Sequence, residues 1–196
     1  MKDVISSNQN NKIKYLKKLY KSSKRKKEGK FILEGYRLID QAIKFNADFK
    51  YIFMTSSYYK SLEGQKIISK DSLDNKTYLL SNDLLDDLAD TVNPQGVIAV
   101  VDEIDQNLNS LVKNANKILL LDRIQDPGNM GTIIRTAAAA GFDGIISLKG
   151  SVDIYNLKVL RATTGSIFNI DLINKLDYDS FKEHLDNNLA NYQLVC

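Results

Sequence analysis

KILLLDRIQDPGNMGTIIRTAAAAGFDGIISL, residues 117–148, holds the pattern from which the rest of the chain can be read. KILLL (117–121) reads as a strand. A polar turn, DRIQDPG (122–128), follows it. The spacing then predicts a helix over 129–140, with Asn129 placed to cap its start and Gly141 suited to its end. GIISL (144–148) reads as the next strand. Strand, helix and strand at this spacing form a parallel crossover unit. Ligands of open α/β sheets bind beyond the carboxyl ends of the strands, so the turn Asp122–Gly128 is where chemistry is expected.

Toward the C-terminus the alternation continues. A helix is expected over 155–162, a strand at FNIDLI (168–173), a helix at YDSFKEHLDN (178–187) and a strand at YQLV (192–195). Toward the N-terminus, residues 102–116 are polar with a weak helical pattern around Leu108–Val112, and a domain boundary is placed there. Before it, FILEG (31–35), FKYIFM (49–54), TYLL (77–80) and GVIAVV (96–101) read as strands. Helices over 36–45, 58–70 and the acidic DLLDDLAD, capped by Ser81 or Asn82, lie between them. That alternation implies a small α/β domain. Ahead of it, Ile13, Leu16 and Leu19–Tyr20 recur at helical spacing among lysines, a basic amphipathic helix that fades into a polar turn near Ser22–Gly29.

Composition limits the function classes. Apolar residues make up 43% and charged residues 26%, the balance of an ordinary folded soluble domain. No run is long and apolar enough for a transmembrane helix, and MKDVISSNQN lacks the apolar centre of a signal peptide, so a cytoplasmic protein is the default. One Cys and one His exclude a disulfide framework and a Cys/His-rich metal centre. Asp122 and Asp126 lack a third ligand and suit turn and cap duties, so no metal is expected. The net charge of +3 is unevenly placed. KIKYLKKLYKSSKRKKEGK (12–30) holds ten Lys/Arg against one Glu, and the rest of the chain is net acidic. Such a block suits a phosphate backbone, with Lys24, Arg25, Lys26 and Lys27 at its densest point; a solvated helix face is the simpler alternative.

Within the central stretch, Gly131 and Arg135 are four residues apart and share a helix face. A glycine there would clear space before the guanidinium, beside a helix N-terminus that favours anions. A phosphate or a developing alkoxide could be met at that point. An exposed, salt-bridged arginine on a capped helix is the plainer reading of the spacing alone. The stretch is not G-x-G-x-x-G, so no dinucleotide fingerprint is read. Elsewhere, Glu34 and Arg37 beside Gly35 are candidates to face RNA, against a local Glu–Arg pair. Tyr15, Tyr20 and Tyr36 are candidates to stack on bases, against half-buried anchors. His184 reads as surface or edge packing.

LLLDRIQDPGNMGTIIRTAAAAGFDGIISLKGSVDIYNLKVLRATTGSIFNI (119–170) closely resembles the first signature region of the TrmH/SpoU family, RNA ribose 2′-O-methyltransferases of the knotted SPOUT class. FILEGYRLIDQAI (31–43) resembles the start, and NPQGVIAVV (93–101) the end, of their substrate-binding domain. The resemblance implies a fold of a small N-terminal α/β substrate-binding domain followed by a SPOUT parallel-sheet domain, with the basic helix and first domain over 1–103 and the second domain over 115–196. It implies S-adenosylmethionine as cofactor, structured RNA as partner with rRNA favoured over tRNA, and a family homodimer. By position it assigns Arg135 and Asn129 as catalytic and places Arg161 and Thr164 on the substrate side. Arginine stays protonated, so Arg135 is read as fixing phosphate and stabilising alkoxide character rather than as a base.

Members of that family continue well past the strand matching YQLV. The expectation is therefore a chain truncated within its SPOUT domain, with the cofactor pocket, the knot and much of the dimer interface absent and cofactor binding weak. A catalytically inactive RNA-binding remnant is the alternative reading, with salt-sensitive RNA affinity lost on neutralising Lys24–Lys27. A fragment without function is a third.

Overall fold

The computed structural model describes residues 2–70, 73–103 and 107–187. The chain opens with a short strand, β1 (Val4–Ile5), and helix α1 (Asn11–Leu19). Asn10 caps α1, its side chain accepting from the Lys12 N–H at 2.9 Å. Ile13, Leu16 and Leu19 are buried, as the helical spacing predicts. The expected polar turn at 22–29 is instead a second helix, α2 (Ser22–Glu28), ended by Gly29 in the left-handed region.

The first sheet is built from β2 (Lys30–Glu34), β3 (Phe49–Thr55), β4 (Thr77–Leu80) and β5 (Val97–Asp102), with β1 at its edge. The strand order is β1-β4-β3-β5-β2. β1, β4 and β3 run parallel, whereas β5 is antiparallel to both β3 and β2, so the sheet is mixed. Its strands alternate, apart from an irregularity in β3 between Phe49 and Tyr51. Ile32, Phe53, Ile98 and Val100 face α1 and α6 (Asn82–Leu88). Phe31, Leu33, Ile52, Met54, Ala99 and Val101 face the opposite side, with α3 (Tyr36–Lys44). The helix expected over 58–70 is two pieces, α4 (Ser56–Lys60) and α5 (Leu62–Ile68). Ser61 breaks it by donating to the Tyr58 carbonyl and capping the Gly64 N–H.

After α7 (Leu108–Asn114) comes a second sheet of three parallel strands, β6 (Ile118–Leu121), β7 (Gly144–Leu148) and β8 (Asp171–Leu176), in the order β6-β7-β8. The crossovers run through α8 (Pro127–Ala139) and α9 (Leu157–Thr163). On the far face, Leu111 of α7 and Phe181 of α10 (Tyr178–Asp186) cover Ile146, Leu148 and Ile173. The strand expected at 168–173 lies three residues later. Gly165 turns the chain at a positive φ of 97°, a 3-10 turn carries Ser166–Phe168, and Phe168 and Ile170 enter the core before pairing starts. The strand expected at 192–195 lies outside the described residues.

The α8–α9 face of the second sheet and the α3 face of the first share one continuous core. The rings of Phe31 and Tyr155 stack at 4.5 Å between centroids. Among the described residues no helix is long and apolar enough to cross a membrane.

Candidate active site

Two loops meet at the carboxyl end of the parallel sheet. One joins β6 to α8 and the other joins β7 to α9. The Ile124 N–H donates to Ser151 Oγ at 3.2 Å, and the Val152 N–H donates to the Ile124 carbonyl at 2.8 Å. Arg123 sits in the left-handed region and pairs with Asp122 at 2.9 Å. A depression of about 350 Å³ lies beside the start of α8, lined chiefly by Arg123, Gln125, Asp126, Asn129 and Thr132.

The helix begins two residues earlier than its spacing predicts. Asp126 is the cap, accepting from the Asn129 N–H at 2.7 Å, and Pro127 occupies the first turn, where its missing N–H costs nothing. Asn129 therefore lies inside the first turn, with an exposed side chain. Its expected cap role is corrected. Asp126 also lays a carboxylate on the helix N-terminus, so the dipole there is already met and an anion falls to a side chain instead.

Arg135 is exposed and has no hydrogen bond or ion pair among the described residues. The glycine one turn before it has another duty than the one expected. A Cβ at Gly131 would stand 2.4 Å from Ala162 Cβ and 2.7 Å from the Val159 carbonyl. Gly131 lets α9 approach α8, and Arg135 stands beside that close contact. Arg161 and Thr164 belong to the packed partner helix. Arg161 pairs with Asp90 at 2.7 Å, and its other terminal nitrogen is buried without a hydrogen-bond partner among the described residues. Thr164 caps α9 in the left-handed region and is exposed.

The other candidates separate sharply. Lys24, Lys26 and Lys27 are exposed on α2, and Arg37 is exposed on α3. Arg25 is buried, which corrects its reading as an RNA-facing group. It donates through Nη2 to Asp153 at 2.6 Å, through Nε to the same carboxylate, and through Nη1 to the Leu19 and Tyr20 carbonyls. Glu34 is buried as well and is neither RNA-facing nor paired to Arg37. It accepts from the Asp90 N–H, the Thr91 N–H and the Thr91 hydroxyl. It thereby fixes the loop whose Asp90 holds Arg161. Of the tyrosines, Tyr20 donates to the Leu88 carbonyl and Tyr36 to Asp40. Tyr15 meets Tyr51 edge-on beneath Lys50.

Asp153 is the polar centre that sequence reading missed. Its carboxylate accepts from Arg25, Ser22 Oγ, the Tyr155 N–H and Asn174 Nδ2. Burial raises its pKa, but the hydrogen bonds and charge of Arg25, with Ser22 and Asn174, outweigh that and hold it below the usual carboxylate value. Glu103 lies in the same electrostatic field. Burial and the Asp153 charge push it up to about 7, against the lowering effect of Arg25. Among the described residues Ser147 Oγ and Asn174 Oδ1 are buried without hydrogen-bond partners, yet neither lines the depression beside α8. The described residues do not assemble an adenosine cradle. Among them, no group of three or more His, Cys, Asp or Glu is placed to hold a metal ion.

Residues 10–99 match the MRM3-like substrate binding domain, and residues 116–196 match the SpoU rRNA Methylase family. The chain belongs to the SpoU methylase family. The SpoU chain is 35% identical over 171 residues to the 23S rRNA (guanosine(2553)-2′-O)-methyltransferase RlmP of Bacillus subtilis, covering 87% of itself and 64% of that protein. It is 34% identical to the human mitochondrial rRNA methyltransferase 3, covering 82% of itself and 39% of that protein. Its fold matches the AdoMet-bound rRNA methyltransferase from Sinorhizobium meliloti with a TM-score of 0.76 at 26% identity, over 92% of this chain and 67% of that one. It also matches AviRb from Streptomyces viridochromogenes in complex with AdoMet, with a TM-score of 0.80 at 24% identity, over 93% and 69% of the two chains. The SpoU chain thus spans less than two thirds of the relatives it matches in sequence.

Proposed function

We propose that this SpoU protein takes part in methylating a ribose 2′-hydroxyl of structured RNA, with rRNA as the substrate class and S-adenosylmethionine as the methyl donor. The observation that carries the reading is Arg135, a guanidinium unpaired among the described residues, beside the α8–α9 contact. An arginine that no carboxylate neutralises is available to an anionic ligand. The named activities of RlmP and rRNA methyltransferase 3, and the AdoMet in the related structures, support the same chemistry.

The donor supplies an electrophilic methyl carbon. That carbon would go to the ribose 2′-oxygen, with the sulfonium sulfur as leaving group and the hydroxyl proton passing to solvent. Arg135 keeps its own proton, so its part is to hold the neighbouring phosphate and stabilise negative charge on the oxygen. Placing that oxygen in line with the breaking bond supplies much of the rate. Arg161 and Thr164 belong to the substrate side, and Asn129 to the turn beside the depression. Lys24, Lys26, Lys27 and Arg37 grip phosphates at a distance from the ribose. The same reading places a substrate-binding unit over 1–103, a transferase unit over 115–196, a homodimer as the assembly and the cytoplasm as the location.

Incubation with rRNA and methyl-labelled S-adenosylmethionine tests this reading. Label is expected in alkali-resistant dinucleotides, the signature of a blocked 2′-oxygen. Salt-sensitive RNA binding with no transfer would instead establish an RNA-binding chain that does not methylate.

A further inference from the structure

α2 has the sequence SSKRKKE, and Arg25 is the one side chain it buries. A seven-residue helix is too short to persist alone in water, and this one has no apolar stripe with which to dock. Its attachment rests on polar contacts. Arg25 and Ser22 converge on Asp153, and Arg25 also closes the end of α1 through the Leu19 and Tyr20 carbonyls. The ion pair is closed from solvent, with side-chain exposures of 6% and 9%.

Asp153 lies in the loop after β7, which is hydrogen-bonded to the turn that launches α8. It also holds Asn174 of β8 at 3.0 Å. A chain of direct contacts therefore runs from the basic helix to the base of the helix bearing Arg135. Lys24, Lys26 and Lys27 are exposed on the same short helix, and Lys21 is exposed just before it.

We propose that Arg25 and Asp153 are positioning residues: their buried pair locks the lysine face of α2 at a fixed place relative to the carboxyl-end loops. That face becomes a preformed phosphate-binding surface in register with Arg135, rather than a loose basic arm. Arg25 itself touches no RNA. The functional half of this inference rests on the RNA reading above, whereas the lock is a property of the protein alone. A buried pair broken on one side leaves an uncompensated charge, so its loss is felt locally and strongly.

The test measures amide hydrogen exchange on the full chain and on Arg25→Gln and Asp153→Asn. It then measures binding of a structured rRNA fragment across a salt series. In both variants the α2 amides are expected to exchange about 100-fold faster or more, with β3 and β5 amides unchanged. RNA affinity is expected to fall about tenfold with the salt slope preserved, because the phosphate contacts are misplaced and not removed. Changing Lys24, Lys26 and Lys27 together to Gln should do the reverse: the slope drops by about 0.9 per lost contact while α2 stays protected.

Unchanged α2 protection in both variants overturns the lock. A slope lowered by about one in Arg25→Gln without faster exchange overturns it too, by making Arg25 a phosphate ligand. If the unmodified chain fails to bind RNA, the RNA reading falls and the exchange arm still decides the lock. Should Arg25→Gln fail to fold, the isosteric Asp153→Asn decides it.

Discussion

Arg25 and Arg135 carry the same side chain and meet opposite fates. Arg25 lies in the densest basic stretch of the chain, where composition points to nucleic acid, and it is buried and fully engaged. Its partner is 128 residues away, so no local pattern could have revealed the pairing. The place of Arg135 on its helix was legible because the strand before it and the glycine one turn back are both local. The reason for that glycine was not, since Ala162 and Val159 approach it only in the fold. Glu34 was misread for the same cause: its donors lie in a loop 56 and 57 residues on. At this scale Glu103 yields a pH prediction. Its pKa rises from near 4.5 in the unfolded chain to about 7 in the folded protein. The folded state thus holds a proton that the unfolded state releases first, and stability contributed by that site is lost as pH climbs from 4.5 to 7. Glu103→Gln should flatten that decline, and melting temperatures of both proteins across this range check it. Equal slopes would remove Glu103 from the effect.

At the scale of elements, α8 and α9 form the unit on which the proposed site stands. Gly131→Ala should cost about 1–3 kcal/mol, because the added methyl meets both a side chain and a backbone carbonyl. Denaturant midpoints measure it, and a neutral result would mean that α8 and α9 are farther apart than described. Strands and helices were read well wherever hydrophobic period and length agreed, as at β2, α3, β7 and α10. They were read poorly where polar anchoring replaced pattern. α2 has no apolar face, and its capping glycine alone hinted at a helix end. β8 was displaced because Phe168 and Ile170 look like strand residues but serve the core from a turn. β1, only two residues long, gives too little pattern to be read at all.

Across the whole molecule, the polar stretch at 102–116 marked the change from one sheet to the other, but gave no sign that the two sheets share a core. Phe31 stacks on Tyr155 and lies near Phe168. Together with the Arg25–Asp153 and Arg161–Asp90 pairs, this joins the two halves mechanically. Phe31→Ala should cost about 3–5 kcal/mol and destabilise both sheets together. Hydrogen exchange resolved by strand tests that: coupled loss of protection in β5 and β7 is expected, and loss confined to β2, β3 and β5 would show the halves to be independent. Such rigidity is what the proposed site would require, since phosphates held on α2 would have to arrive in register with a ribose at Arg135. The most direct measurement is methyl transfer to rRNA by the unmodified chain and by Arg135→Ala, each first shown to be equally folded. Arg135 is exposed and makes no hydrogen bond or ion pair with the described residues, so stability should be unchanged while the rate falls about 100- to 1,000-fold. Transfer by Arg135→Ala at the unmodified rate would contradict the placement of the chemistry on α8.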